Sequence, residues 1–567
     1  MLTAPRIIVL LILVLLSGAL SGSEASRGQI AEMILAEMST VSPNGLHEAV
    51  DSAPEAVRSI DAAMSLFYAS RNHSPAWREG TRLPRLIAAL DGLEHRGLDP
   101  GVYGVDMLRQ RMLDGTGSVE DQTCTDLLAT QAYLTALLHL RLGRLNPDEF
   151  DPVWHSDGVE SLDADWTPIV LLASVMLDDI EGVIEEVRPQ TTRYRSLEKA
   201  YADLWHRAAV LDWPVIPAGP MLREGMRDPR VPALRQRLSE ASRPYPAWTI
   251  RSLLHASHVD ALYDEELAEA VMAFQRSHHL RVDGIVGPET LKALNVPVSV
   301  RLEQVRINLE RMRWLARDPV TTYVLVDIAG ARLRFVRDGE TVWKARAQIG
   351  RSARATPRLK SMITHLTFNP TWTVPPTILR DDMLPKIRED ISFLERQRIA
   401  VLDYAGNRLD PQRVDWHSPE GIMLRQSAGP HNALGRVVIR FPNPFLVYLH
   451  DTPSQQGFAE DQRAFSSGCV RVERTMELVN LLIEEGSDAP AERVAALVDS
   501  GRTTNLHLER PVPIRMAYWT ADTADDGSLV FRPDIYAHDA RIAQAFAEQR
   551  ANGLRENACS TQVRSLW

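Results

Sequence analysis

Two neighbouring stretches carry the side chains that nucleophilic catalysis needs. Tyr448-Leu449-His450-Asp451-Thr452-Pro453 supplies an imidazole, and Phe465-Ser466-Ser467-Gly468-Cys469-Val470-Arg471-Val472 supplies a thiol flanked by Ser and Gly. His450 and Cys469 stand 19 positions apart, room for a strand, a loop and a return. A thiol is a poor nucleophile near neutrality until an adjacent His takes its proton or lowers its pKa. Gly468 has no Cβ, so the backbone N–H groups at 468 and 469 can come close to a reacting carbonyl. The competing reading is a small buried cysteine and a strand-end structural histidine, because one Cys with a His elsewhere is only a candidate pair.

Strand alternation adds two residues. Arg471 lies two positions beyond Cys469 and shares its face, where it meets a substrate carboxylate bidentately or forms a structural ion pair. Tyr448 shares the face of His450 and lines the same pocket.

The run from His450 through Arg471 resembles the active-site signature of the L,D-transpeptidases, the YkuD-type cysteine enzymes that cross-link bacterial cell-wall peptides. The likeness is closest to large periplasmic members that also carry a peptidoglycan-binding domain. Many members place a His directly before the Gly-Cys pair, where this chain has Ser467, a residue the large subfamily tolerates there. The resemblance implies Cys469 as nucleophile and His450 as base, with the imidazole oriented by the backbone carbonyl of Asp451. It implies backbone N–H groups of Gly468 and Cys469 as oxyanion donors. Ser467, Trp372 in Phe368-Asn369-Pro370-Thr371-Trp372, and Asn432 in Gly429-Pro430-His431-Asn432-Ala433-Leu434-Gly435-Arg436 match segments bordering the site, with packing as the other reading of the last two. The implied reaction is a two-step acyl transfer between peptidoglycan stem peptides, with no metal or cofactor. Rival readings are a carboxypeptidase with water as acceptor, a cysteine endopeptidase of another fold, and a non-catalytic wall-binding scaffold.

The chain has 567 residues, 45% apolar and 24% charged, an ordinary globular composition with room for several domains. A net charge of −11 and pI near 5.9 argue against general affinity for nucleic acid or an anionic membrane. Residues 1–25 read as an export signal or a retained anchor: Arg6 precedes the apolar run Ile7 to Leu20, shorter than the ~20 residues of a bilayer span. The expected location is the periplasm, with membrane contact only through that segment and with peptidoglycan stem peptides, glycan and other wall-synthesis proteins as partners. Of the cysteines Cys124, Cys469 and Cys559, the first and last either pair or remain inert thiols if Cys469 is the nucleophile.

The elements that must hold these residues give a multidomain α+β protein. Residues 26–220 follow helical patterning with breaks at Gly97-Leu98-Asp99-Pro100 and Leu145-Asn146-Pro147, and resemble the helical scaffold of the large transpeptidases. Residues 221–297 tighten into helices around Val282-Asp283-Gly284-Ile285-Val286-Gly287-Pro288, where Gly287 is expected to supply an unusual φ and Pro288 to open a helix. This resembles a three-helix peptidoglycan-binding domain. His278-His279 lacks a third ligand at useful spacing and reads as a solvated pair. Residues 298–319 form a connecting helix with five Arg against two Glu between 301 and 317, read as a solvated face docking two domains. From 320 to 520 the period becomes two, Asp338-Gly339 marks a hairpin, and the resemblance implies a mixed β-sandwich catalytic domain. Within it, about 375–428 is expected to be a helical, polar insertion, either a lid or a plain surface excursion. Residues 521–567 form a C-terminal extension in which Phe531-Arg532-Pro533-Asp534-Ile535-Tyr536 also resembles the large subfamily, and from His538 onward no chemistry is assigned.

Overall fold

The computed structural model of the chain describes residues 29–36, 59–115, 117–150, 166–208, 213–241, 261–316 and 320–551. The expected leader at 1–25 and Cys559 lie outside the described residues. Cys124 is disulfide-bonded and Cys469 is a free thiol. No described helix is long and apolar enough to cross a membrane.

The amino-terminal region is helical, around the 24-residue helix Val119–Leu142. That helix is apolar nearly all round and therefore central, with Leu128, Ala132, Leu134 and Leu137 buried against Phe67, Leu86, Leu90 and Val183. Its start is fixed by a capping box between Ser118 and Asp121. One buried carboxylate, Asp126, is satisfied by the Ala76 and Trp77 N–H groups and the Tyr68 hydroxyl.

The next unit has its own core of Leu222, Leu234, Leu238, Tyr263, Leu267, Val271, Phe274, Val286 and Leu294. Helices Val231–Ala241, Glu265–Ser277 and Pro288–Leu294 surround it, and Asp264 caps the second through the Leu267 N–H. Two sequence readings change here. Gly287 is extended, and the left-handed turn belongs to Gly284 at φ +68, whose N–H donates to the Gln275 side-chain Oε1. His278 is not solvated: it stacks on Phe274 at 3.8 Å, and burial lowers the pKa of both His278 and His279. No three-ligand metal cluster exists among the described residues.

The connecting helix spans Val298–Ala316, and its Arg301, Arg311 and Arg313 are buried rather than solvated. Arg313 donates to the Arg96 carbonyl and the Tyr194 hydroxyl of the amino-terminal region, Arg301 donates to the Ala293 carbonyl, and Arg311 pairs with Asp539 at 2.6 Å. Periodicity registers the apolar stripe of such a helix but not that its polar faces also dock on neighbours.

The β-rich domain contains β1 Tyr323–Asp327, β2 Arg332–Arg337, β3 Glu340–Gly350, β4 Leu359–Phe368, β5 Trp372–Thr373, β6 Ile399–Asp403, β7 Ile422–Gln426, β8 Val437–Arg440, β9 Leu449–His450, β10 Ala464–Ser466, β11 Val470–Val472 and β12 Thr504–Ala517. Nine of them form one sheet ordered β10-β3-β11-β9-β8-β4-β12-β1-β2, and a further β2–β3 pairing curls it on itself. Asp338 and Gly339 both have positive φ, as a tight β2–β3 hairpin requires. Helix Thr475–Gly486 packs Leu478, Val479 and Leu482 into the sheet core.

The 375–428 insertion is less helical than expected. Its short helices Leu384–Glu389 and Phe393–Arg396 cover a three-stranded sheet ordered β5-β7-β6. Ile399, Val401 and Leu424 alternate inward there, a two-residue period hidden among the charged clusters. In the extension, β13 Ala521–Thr523 and β14 Leu529–Phe531 form a hairpin, followed by helix Asp539–Ala551. Arg532 joins Asp327 and Asp522 at 2.9 and 3.1 Å, and Arg193 from the amino-terminal region closes the network on Asp522.

Candidate active site

Strands β9 and β11 run parallel and in register, Leu449 opposite Val470 and His450 opposite Arg471. Parallel pairing brings the imidazole and thiol segments side by side at one end of the sheet. His450 is buried, and its Nδ1 lies 2.6 Å from the Asp451 carbonyl oxygen. A carbonyl only accepts, so Nδ1 carries the proton and Nε2 keeps its lone pair. Burial and the Arg471 charge push the His450 pKa down to about 3, so the ring is neutral at pH 7.

Burial pushes the Cys469 thiol pKa up, against hydrogen bonding from Tyr448 and the charges of Arg471 and Arg440, which favour the thiolate. Desolvation is the largest influence, so the resting side chain is a protonated thiol. Tyr448 also packs edge-on against His450, ring centroids 5.8 Å apart, and lies beneath the Arg440 guanidinium at 5.2 Å.

The turn before Cys469 is shaped by Ser466 and Gly468. Gly468 sits at φ +109, a conformation that L side chains rarely adopt. The Ser466 hydroxyl accepts from the Gly468 N–H at 3.1 Å and donates to the Cys469 carbonyl. The Gly468 N–H, expected as an oxyanion donor, thus already has an acceptor inside the turn in this structure. On the other side, the Thr356 hydroxyl donates to the Gly468 carbonyl at 2.8 Å.

Arg471 bonds Gln348 Oε1 at 2.9 Å and forms no ion pair among the described residues, which leaves its charge uncompensated beside the thiol. Ser467 Oγ accepts from Arg354 at 2.9 Å. Arg354 in turn pairs with Asp381 and Asp382 of the insertion at 2.8 and 2.5 Å, and Arg351 reaches Asp382 at 2.7 Å. The insertion is thus tied by ion pairs to Arg354, which in turn donates to the residue two before the thiol.

The other expected site residues are placed differently. Trp372 lies on β5, pairs with Gln426 and packs against the core of the insertion. Asn432 is buried, donating to the Ser427 carbonyl and accepting from the Leu434 N–H, so its amide shapes its own loop. The Asp451 carboxylate accepts from the Arg436 N–H at 2.9 Å, and Gly435 at φ +63 leaves the space, since a Cβ there would meet Asp451 at 2.5 Å. Sequence reading missed Ser466, Thr356, Gln348 and Arg354. Only Ser466 had a signal, as a small hydroxyl two positions before the glycine of a tight turn.

Comparison with known proteins follows the same division. A family model described as the L,D-transpeptidase catalytic domain (YkuD) matches residues 321–504, one described as a scaffold domain matches 62–200, and one described as "Putative peptidoglycan binding domain" matches 227–294. A protein of Haemophilus influenzae named "Putative L,D-transpeptidase" is 32% identical over 243 residues, covering 42% of this chain and 49% of its own. The chain thus spans about half the length of that curated relative. Among solved structures, an L,D-transpeptidase from Mycobacterium smegmatis is 16% identical, with a TM-score of 0.16 over 35% of this chain and 58% of that one. One from Xylanimonas cellulosilytica is 17% identical, with a TM-score of 0.17 over 53% and 99%.

Proposed function

We propose that the protein joins peptidoglycan stem peptides through an acyl-enzyme on Cys469, a reading supported by the matches of residues 321–504 to the YkuD L,D-transpeptidase catalytic-domain model and of residues 227–294 to a peptidoglycan-binding model. The observation that carries this reading is a free thiol directly before β11, a strand paired in parallel with β9, whose His450 imidazole is neutral and has its Nδ1 engaged by the Asp451 carbonyl, leaving Nε2 as the base.

In the first half-reaction the Cys469 sulfur attacks the carbonyl of the third residue of a donor stem, and its proton passes to His450 Nε2. The tetrahedral oxyanion is held by the Cys469 N–H, since the Gly468 N–H is bonded to Ser466. Collapse breaks the amide to the terminal residue, whose amine leaves with the proton from His450, and a thioester remains. In the second half-reaction the side-chain amine of a neighbouring stem attacks that thioester. His450 takes the amine proton and returns it to the departing sulfur, so the thiol is regenerated. Arg471, unpaired by any carboxylate among the described residues, receives a substrate carboxylate. The insertion closes over the site and excludes water, a role supported by its ion pairs to Arg351 and Arg354 beside Ser467. The setting is the periplasm, where binding through 227–294 concentrates acceptor stems.

The test has two stages. Incubation with a carbapenem, a strained amide that mimics the donor, gives one adduct by intact-protein mass spectrometry, absent in Cys469→Ala. An adduct that persists in that variant removes the nucleophile assignment. Incubation with disaccharide tetrapeptides then gives dimers linked between third residues, whereas tripeptide monomers alone, even at high acceptor concentration, make the enzyme a carboxypeptidase.

A further inference from the structure

The peptide unit joining Gly468 to Cys469 is the softest part of the site. A glycine at φ +109 places little steric restriction on the rotation that flips the following peptide. The Cys469 N–H belongs to that unit, so a flip would turn the proposed oxyanion donor away. In a trans peptide the C=O and N–H vectors are antiparallel, and holding one end fixes the other.

The carbonyl end is held from a different part of the chain. Thr356 is buried, and its hydroxyl donates to the Gly468 carbonyl oxygen at 2.8 Å while accepting from the Gly350 N–H at 2.8 Å. A hydroxyl has a single proton; the Gly350 N–H can only donate to it, so the Thr356 proton is directed to Gly468. Thr356 is itself seated by Tyr536 of the C-terminal extension. The Tyr536 hydroxyl donates to the Gly350 carbonyl at 2.6 Å and accepts from the Thr356 N–H at 3.2 Å, and Ser352 Oγ donates to the neighbouring Ile535 carbonyl at 2.9 Å. Ser466 binds the Gly468 N–H and the Cys469 carbonyl, but neither bond touches the peptide between them. Thr356 alone among these groups acts on that unit.

We propose that Thr356 is a positioning residue for the oxyanion donor. By holding the Gly468 carbonyl it aims the Cys469 N–H in the opposite direction, toward the reacting carbonyl, and Tyr536 locks it in place. The extension at residues 521–567, which the sequence left without chemistry, thereby contributes to the catalytic step. This proposal rests on the Cys469 acyl-enzyme reading above.

The two ideas separate by comparing a reaction that builds an oxyanion with one that does not. Acylation by a carbapenem builds negative charge on a carbonyl oxygen. Alkylation by iodoacetamide displaces iodide at a saturated carbon and needs only the thiolate. Both are followed on the full chain by time-resolved intact-protein mass spectrometry. Thr356→Val keeps shape and removes the hydroxyl. It is expected to slow acylation by about 10- to 100-fold, somewhat less than loss of an oxyanion donor outright, with alkylation within about twofold of wild type. Thr356→Ser restores acylation, and Tyr536→Phe shows the same pattern at smaller size. Acylation of Thr356→Val at the wild-type rate overturns the proposal. So does an equal fall of both reactions that Thr356→Ser does not reverse, because that is general damage. Failure of the wild-type protein itself to acylate overturns the Cys469 reading instead.

Discussion

Replacing Tyr448 with Phe removes one hydroxyl and keeps the ring that packs against His450 and beneath Arg440. Hydrogen bonding from Tyr448 is among the forces that draw the Cys469 pKa down against desolvation, so its hydroxyl stabilises the thiolate. A hydrogen bond to a charged group contributes about 1.5–3 kcal/mol. At about 1.4 kcal/mol per pKa unit, its loss raises the thiol pKa by about 1–2 units. Thiolate at a fixed pH below the pKa falls about tenfold per unit, but each remaining thiolate is more nucleophilic, so the observed rate falls about threefold per unit. The assay is the second-order rate of iodoacetamide alkylation between pH 6 and 11, with Cys469→Ala as background. The wild-type profile should inflect above the ordinary thiol value of about 8.5, with no break near 6.5 because His450 is already neutral there. The Tyr448→Phe inflection should lie higher still. An inflection that is unmoved or moves down refutes the assignment of Tyr448 as a thiolate donor.

Four further outcomes follow. Burial holds the pKa of His139, His279 and His450 at about 3. The unfolded chain takes up protons below pH ~6.5 while the folded one does not, so stability is intact above that pH and declines toward pH 3, by up to about 1.4 kcal/mol per pH unit for each ring; thermal melts that stay level from pH 7 to 4 contradict this. Asp522→Asn leaves buried Arg532 and Arg193 sharing Asp327 alone and should cost about 1.5–3 kcal/mol in urea unfolding, with a loss under 1 kcal/mol showing that the network is not what joins these regions. Asp382→Asn removes the shared carboxylate between Arg351 and Arg354, so proteolysis within 375–428 should accelerate at an unchanged melting temperature; unchanged cleavage means the insertion is held otherwise. The 213–297 fragment, with its own apolar core, should sediment with purified sacculi above a control protein, and absence of retention leaves it as a spacer.

What sequence reveals here divides by the range of the interaction. His450, Asp451, Ser467, Gly468 and Cys469 sit in two short runs, and the strands that carry them alternate in a way that a single chain displays. Asp338-Gly339 is legible for the same reason, since the turn geometry is encoded in the two residues that adopt it. Thr356 and Tyr536 were not legible. They act on backbone carbonyls and N–H groups more than a hundred residues away, and a partner that is main chain leaves no matching side chain to find. Buried Arg313 misled for a related reason: beyond Glu310 one turn away, its acceptors are the distant Arg96 carbonyl and Tyr194 hydroxyl, and an i,i+3 ion pair reads the same on a solvated helix face. In the insertion, short apolar alternation at β6 and β7 is outweighed by flanking charged clusters whose composition suits helices.

The protonated state of Cys469 also bears on how long the residue survives. The same chain contains a disulfide-bonded Cys124, a pairing that persists where conditions are oxidising. Peroxide and disulfides react with thiolate, and every unit by which burial raises the pKa removes about nine-tenths of what thiolate remains at neutral pH. A sulfur kept as thiol until a carbonyl arrives, with its base already neutral beside it, is protected from sulfenic acid and mixed-disulfide formation between turnovers. Desolvation that looks like a handicap for a nucleophile acts, under oxidising conditions, as its preservative.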